Sequence, residues 1–226
     1  HISNLPALVV PYTRTVNETL SENPSTDVLS LLQGVAAGLR YLHSHSPPIT
    51  HGDLKGSSVF VSAAGTALLS DIGIAAIPQP PDWGFHGVDD ARWLAPEVMD
   101  PAMRPELGDA EAAAAHTPDA TLCVSPESDI YSFGMLAYEM FSRERPFASA
   151  TWAAAVIIRV VAGKRPSRPS ATQSPQLSDA LWALIQLCWS HDYRARPRID
   201  AVVAWLEVIA RTRAVEESFT AAVTGL

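Results

Sequence analysis

The chain has 226 residues, 47% hydrophobic and 18% charged, with 16 Lys and Arg against 24 Asp and Glu for a formal charge of -8. That balance is too apolar for a disordered chain, and no basic run traces a nucleic acid or an anionic membrane surface. Two cysteines, Cys123 and Cys188, exclude a disulfide framework, neither stands at zinc-ligand spacing, and no apolar run approaches the roughly 20 residues that span a bilayer.

In chain order, the sequence starts at His1 and runs at once into apolar residues from Leu5, which reads as the middle of a domain with something upstream missing. The apolar run over 8–12 predicts a buried strand that leads into a linker over 13–17. Ser25 and Thr26 supply helix-capping chemistry. Val28, Leu31, Leu32, Val35, Leu39 and Leu42 then repeat at helical spacing, a helix of about four turns that Pro47 and Pro48 end. Two short apolar bursts, Val59 to Val61 and Ala67 to Leu69, flank a glycine-containing turn over 63–66 and predict a β-hairpin. Residues 78–90 read as a long surface loop, and the Ala-rich stretch over 103–125 as an insertion. Helices are predicted over 130–142, 152–162, 177–189 and from Ile199 to about Arg211, punctuated by Pro146, Pro166, Pro169 and Pro197. Trp93, Trp152, Trp182, Trp189 and Trp205 are expected in core or subdomain contacts, and His43, His45, His86, His116 and His191 at the surface.

Five motifs stand in order. His51-Gly52-Asp53-Leu54-Lys55 through Ser58 precedes a strand, and Asp71-Ile72-Gly73 follows eighteen residues after Asp53. Then come Arg92-Trp93-Leu94-Ala95-Pro96-Glu97, Asp129-Ile130-Tyr131-Ser132-Phe133-Gly134, and Cys188-Trp189 with Arg194 to Pro197. This order resembles the C-terminal lobe of protein kinases, most closely the tyrosine-kinase-like branch, whose members mostly phosphorylate Ser and Thr. The resemblance covers the chain from Leu8 to about Ala210 and implies an α+β, mostly α fold: the helical lobe of a protein-kinase-like domain, with a small β-hairpin at the active cleft. Within one domain over 1–226 it places a hinge at 8–13, a catalytic loop at 51–61 and an activation segment at 71–97. The small N-terminal lobe has no counterpart: the Gly-rich loop, the strand lysine and the helix glutamate that grip nucleotide phosphates are not matched.

What the resemblance implies for residues follows position by position. Asp53 accepts or orients the proton of a substrate hydroxyl, and Lys55 sets a positive charge near the transferring group. Asp71 ligates Mg²⁺, and Ser58 stands where the family places an asparagine metal ligand. Val10, Pro11 and Thr13 belong to the hinge that meets adenine, and Phe60 to its apolar floor. Gly52 replaces an arginine that receives an activation-loop phosphate, so that form of switching is not expected. Ile72 keeps an apolar plug between lobes, and His51 is a packed structural histidine. Asp129 looks like a helix cap and, by the resemblance, also holds the catalytic loop from below. Glu97 and Arg196 are expected as a buried ion pair.

The expected function is ATP- and Mg²⁺-dependent phosphoryl transfer to protein Ser or Thr in signalling, once a small lobe completes the domain. In these 226 residues alone, nucleotide binding is expected to be weak or absent and the chain inactive. The alternative is a pseudokinase or kinase remnant that binds signalling partners without turnover. A small-molecule phosphotransferase of the aminoglycoside or choline type shares the His-Gly-Asp-Leu string but lacks the Ala-Pro-Glu segment. Protein partners, no nucleic acid, no membrane segment, a cytoplasmic location and an exposed apolar face toward the missing lobe complete the expectations.

Overall fold

The computed structural model describes residues 13–73, 90–104 and 124–224. The strand expected over 8–12, including Val10 and Pro11, the loop over 78–90 apart from Asp90, His86 and His116, and all but the edges of the insertion over 103–125 lie outside the described residues. The elements are β1 (Arg14–Thr15), α1 (Val16–Glu22), α2 (Val28–His43), β2 (Val59–Val61), β3 (Ala67–Leu69), α3 (Pro96–Met99), α4 (Pro126–Ser142), α5 (Ala153–Val161), α6 (Asp179–Cys188) and α7 (Ile199–Thr224). Among the described residues this is the mostly helical α+β architecture that the sequence implies, with one small sheet.

The predicted hairpin forms, with Val59 opposite Leu69 and Val61 opposite Ala67. The linker expected over 13–17 does not. Arg14 and Thr15 instead add a third antiparallel strand, opposite Val61 and Phe60, and a helix starts at once. Thr15 and Glu18 form a capping box: the Glu18 N–H donates to the Thr15 hydroxyl at 3.2 Å and the Thr15 N–H to the Glu18 carboxylate at 2.8 Å. The inward face of the sheet places Val59 and Ala67 in the core, while alternation turns Phe60 and Leu68 outward.

α2 buries Val28, Leu31, Leu32, Val35, Leu39 and Leu42, the stripe read from the sequence. Its cap is Asp27, not Ser25 or Thr26: the Asp27 carboxylate accepts from the Leu29 and Ser30 amides at 3.1 and 3.4 Å. The axis of the fold is α4, buried on every side from Ser128 to Ser142, with apolar residues around its whole circumference and Asp129 and Glu139 buried among them. Ser125 caps it and Pro126 occupies its first turn, so Asp129 is not the cap and its carboxylate is free for other work. Gly134 lets α6 close on α4, since a Cβ there would come within 3.3 Å of the Ile185 carbonyl oxygen and the Trp189 nitrogen.

Three expectations about size and burial fail. α7 runs to Thr224, well past Arg211, although its buried residues end at Leu206. Beyond that point Arg213 clips it to Asp27 with a 2.6 Å ion pair. Trp93, Trp182 and Trp189 do pack in or against the core, but Trp152 and Trp205 are exposed. Burial of large aromatics is a tendency with exceptions. His43 is also misplaced by the sequence reading: its side chain is almost entirely buried, whereas His191 is exposed.

The expected ion pair closes the far side of the bundle. The two guanidinium nitrogens of Arg196 meet the two oxygens of Glu97 at 2.6 and 2.8 Å, both side chains sealed from solvent. Arg196 also donates to the Ser190 and Glu127 carbonyls and lies over the Tyr131 ring. Removing one partner of such a pair leaves a charge without its counter-ion in a low-dielectric site. Glu97→Ala is therefore expected to cost about 3–5 kcal/mol, measured as a lower urea midpoint at unchanged slope. A loss below about 1 kcal/mol, the worth of a surface pair, would mean that this contact does not hold α3 to the bundle.

Candidate active site

The loop over 51–58 is built on two carboxylates of α4. Asp129 accepts the His51 amide at 2.8 Å on one oxygen and the Gly52 amide at 2.9 Å on the other. The first of these oxygens also meets the Nε2 of His43 at 2.8 Å, which is why that histidine is buried. Gly52 sits at φ +79, in the left-handed region that favours glycine. Nearly three turns further along the same helix, Glu139 accepts the Gly56 amide at 3.0 Å and the Trp93 indole N–H at 2.9 Å on one oxygen. Its other oxygen accepts from the Asn17 side chain at 2.8 Å. Burial holds the Glu139 pKa above the usual carboxylate range, against the lowering effect of those donors.

Within this frame Ser58 is turned into the loop. Its hydroxyl reaches the Asp53 and Lys55 carbonyls at 2.9 Å each and accepts from the Lys55 amide at 3.0 Å, and the residue is fully buried. Asp53 points the other way. One of its oxygens receives the Lys55 ammonium at 2.9 Å, and the same ammonium contacts Asp90 at 2.9 Å. Burial raises the Asp53 pKa, and the neighbouring Lys55 only partly offsets it. Burial acts to lower the Lys55 pKa, but the hydrogen bond to Asp90 and the charge of Asp53 outweigh it and hold the ammonium charged. A lysine is thus pinned between two carboxylates from different parts of the chain.

Asp71 enters from the end of β3. The Ser70 and Gly73 amides donate to the Ser58 and His51 carbonyls, each at 3.0 Å, so residues 70–73 are stitched along the loop. Asp71 adopts φ +59, an uncommon backbone for a non-glycine residue. The Ser70 hydroxyl bonds one of its oxygens at 3.1 Å. The carboxylates of Asp53, Asp71 and Asp129 all act electrostatically on His51, whose own pKa is lowered, chiefly by burial. Its Nδ1 faces the Asp53 amide at 3.3 Å, and its side chain is completely enclosed, as a packing role requires.

Other expected positions are less engaged. Ile72, read as an apolar plug, is exposed. Phe60 is half-buried on the outward face of the sheet, beside the exposed Leu68, and Thr13 is half-buried just ahead of β1. Asp90, Glu139 and Asn17 were not singled out by the sequence and His43 was expected at the surface, because their partners lie 35 to 122 residues away. Among the described residues no group of three or more His, Cys, Asp or Glu side chains is arranged to hold a metal ion.

Chemically, the loop offers a half-buried carboxylate beside an ammonium that Asp90 also holds, with Asp71 on the adjoining stretch over 70–73. That set can take a proton from a hydroxyl, offset developing negative charge and share a hard cation with phosphate oxygens.

The family model described as protein tyrosine and serine/threonine kinase matches residues 13–206. The chain is 28% identical over 183 residues to cyclic GMP-binding protein C of Dictyostelium discoideum, which covers 77% of this chain and 6% of that protein. It is 29% identical over 186 residues to a probable serine/threonine-protein kinase of the same organism, 81% of this chain and 17% of the other. It is 26% identical over 172 residues to human receptor-interacting serine/threonine-protein kinase 4, 74% of this chain and 18% of the other. The chain thus spans a small share of the length of each of these relatives.

Two outcomes test the frame. Asp129→Ala removes the acceptor of two loop amides, each bond to a charged group being worth about 1.5–3 kcal/mol. The His51 and Gly52 amides should then exchange with deuterium roughly tenfold to a hundredfold faster, while the α6 amides should not change. For Glu139, the raised folded-state pKa means that its contribution to stability is complete below the ordinary value of 4.5 and is lost as pH rises through the folded value. Glu139→Gln keeps one oxygen for Gly56 and Trp93, and Asn17 can turn its amide to accept. Urea midpoints should therefore shift in favour of the variant from acid to neutral pH. A difference that stays flat with pH would show that this carboxylate carries no burial penalty.

Proposed function

Because the chain belongs to the protein tyrosine and serine/threonine kinase family, we propose that this loop is the substrate-hydroxyl side of ATP-dependent phosphoryl transfer to protein Ser or Thr. The observation that carries the reading is the Asp53–Lys55 pair, held in a buried loop by Asp129 and Glu139. The relatives named as serine/threonine kinases favour a Ser or Thr acceptor.

In this reading Asp53 orients the hydroxyl and accepts its proton. Its raised pKa makes it a better proton acceptor than an exposed aspartate. Lys55 stays charged and offsets negative charge at the acceptor oxygen. When bound, Mg·ATP supplies the phosphoryl group and neutralises charge on it. Asp71 fits such a metal, since Mg²⁺ takes one or two carboxylates together with phosphate oxygens and water. Ser58 fits it poorly, its hydroxyl being spent within the loop. The adenine side is assigned to Thr13 and Phe60, together with Val10 and Pro11.

The phosphate-gripping loop, lysine and glutamate of the family find no match in these 226 residues. Turnover requires that those parts be supplied, and the chain by itself is expected to hold Mg·ATP weakly. A scaffold without turnover is the second reading, and Ser58 is the observation that favours it.

A thermal-shift titration of the 226-residue protein with Mg·ATP separates these claims. Little or no rise is expected, since a ligand well below its Kd adds almost nothing to stability. A rise of several degrees that Asp71→Ala abolishes would overturn the expectation of weak binding. In a protein extended to include a phosphate-gripping lobe, Asp53→Asn should lower phosphotransfer by about 10²–10⁴-fold without changing nucleotide affinity. Equal activity of variant and wild type would remove Asp53 from the reaction.

A further inference from the structure

The family match ends at residue 206, and α7 continues to Thr224. At 1.5 Å per residue, the part beyond Leu206 is about 27 Å long. Two faces of this helix differ. Ile199, Val202, Val203 and Leu206 are buried against the lobe, with Ile209 and Ala210 packed at its edge. On the opposite side Trp205 is 44% exposed, Val208 55%, Val215 69% and Phe219 70%.

The spacing of this second face is regular. Trp205, Val208, Thr212, Val215, Phe219 and Ala222 follow one another in alternating steps of three and four. That is the seam of a heptad repeat, period 3.5, with Trp205, Thr212 and Phe219 at a and Val208, Val215 and Ala222 at d. The flanks carry a second signal. Arg211 falls at g and Glu216 at the following e, the two positions that face each other across a parallel, in-register pair of identical helices. Within its own chain Arg211 meets Glu207 at 3.5 Å in an exposed contact, which leaves Glu216 as the acidic flank of the seam. The lobe lies on the other face of the helix, so two copies can pair with their lobes on the outside.

We propose that α7 is a dimerisation element and that its occupant is the α7 of a second copy, parallel and in register. The exposed seam, with Val223 at its rim, presents on the order of 600 Å² per chain, so the pair buries roughly 1,200 Å², the lower end of the range for specific interfaces. With Thr212 and Ala222 in the seam and fewer than three heptads, association is weak, with a Kd on the order of 10–100 μM.

Sedimentation velocity on the 226-residue protein over a concentration series tests this. A monomer at low concentration passing to a dimer is expected, and a monomer throughout overturns the proposal. Val215→Glu with Phe219→Glu should abolish the dimer while far-UV circular dichroism stays the same. A dimer that survives both substitutions lies on another face and also overturns it. Arg211→Glu alone and Glu216→Arg alone should each weaken association about tenfold, and the two together should restore it. The double exchange does not restore the contact to Glu207, so recovery reports on the contact between chains. Failure to recover excludes the parallel register, as does the absence of a disulfide-linked dimer when Ala222→Cys is oxidised in a Cys123→Ser background.

Discussion

A buried helix that offers two carboxylates to a loop of bare amides is the constraint on which this molecule rests. Backbone N–H groups in a tight, enclosed turn have few partners of their own, and each one left unpaired is costly. Asp129 and Glu139 satisfy three of them from one rigid side. The loop between can then direct Asp53 and Lys55 outward without collapsing onto them. The burial of α4 on every side fixes where those two carboxylates stand, and hence where the loop that carries Asp53 and Lys55 stands.

Glu139 also ties together segments that are remote in sequence. Asn17 belongs to α1, Gly56 to the loop and Trp93 to the stretch that leads into α3. A single side chain thus sets the spacing between the loop over 51–58 and the segment beside it. The Arg196–Glu97 pair does the corresponding work on the far side, joining α3 to the turn before α7. At Glu139 fold stability does not separate cleanly from loop geometry, since the same hydrogen bonds serve both.

Periodic patterns made much of this legible in the sequence. The α2 stripe, the hairpin around Gly65 and the position of α4 follow from local spacing. The Thr15 to Glu18 capping box was also there to be read, but its three-residue signal is hidden beside a proline and a run of polar residues. Asp27 outcompetes Ser25 and Thr26 as the cap of α2 because it stands immediately before the first buried residue. What local pattern does not encode is a partner 83 or 122 residues away, so Glu139 is passed over in the sequence and His43 reads as a surface histidine. The exposed Trp152 and Trp205 mislead for the opposite reason: hydrophobicity indicates that a surface wants cover without saying what covers it. Likewise α7 changes its apolar face after Leu206, so a search for one continuous stripe stops there.

The bridge from Lys55 to Asp90 ties the charge balance at Asp53 to a residue that reaches it from the far end of residues 74–89. Whatever shifts Asp90 away from the ammonium leaves Lys55 with a single anion to answer. It then draws harder on Asp53 and makes that carboxylate a poorer proton acceptor. In the role proposed for Asp53, the strength of that base depends on Asp90 standing beside Lys55, a dependence that needs neither a phosphate nor the arginine which Gly52 replaces.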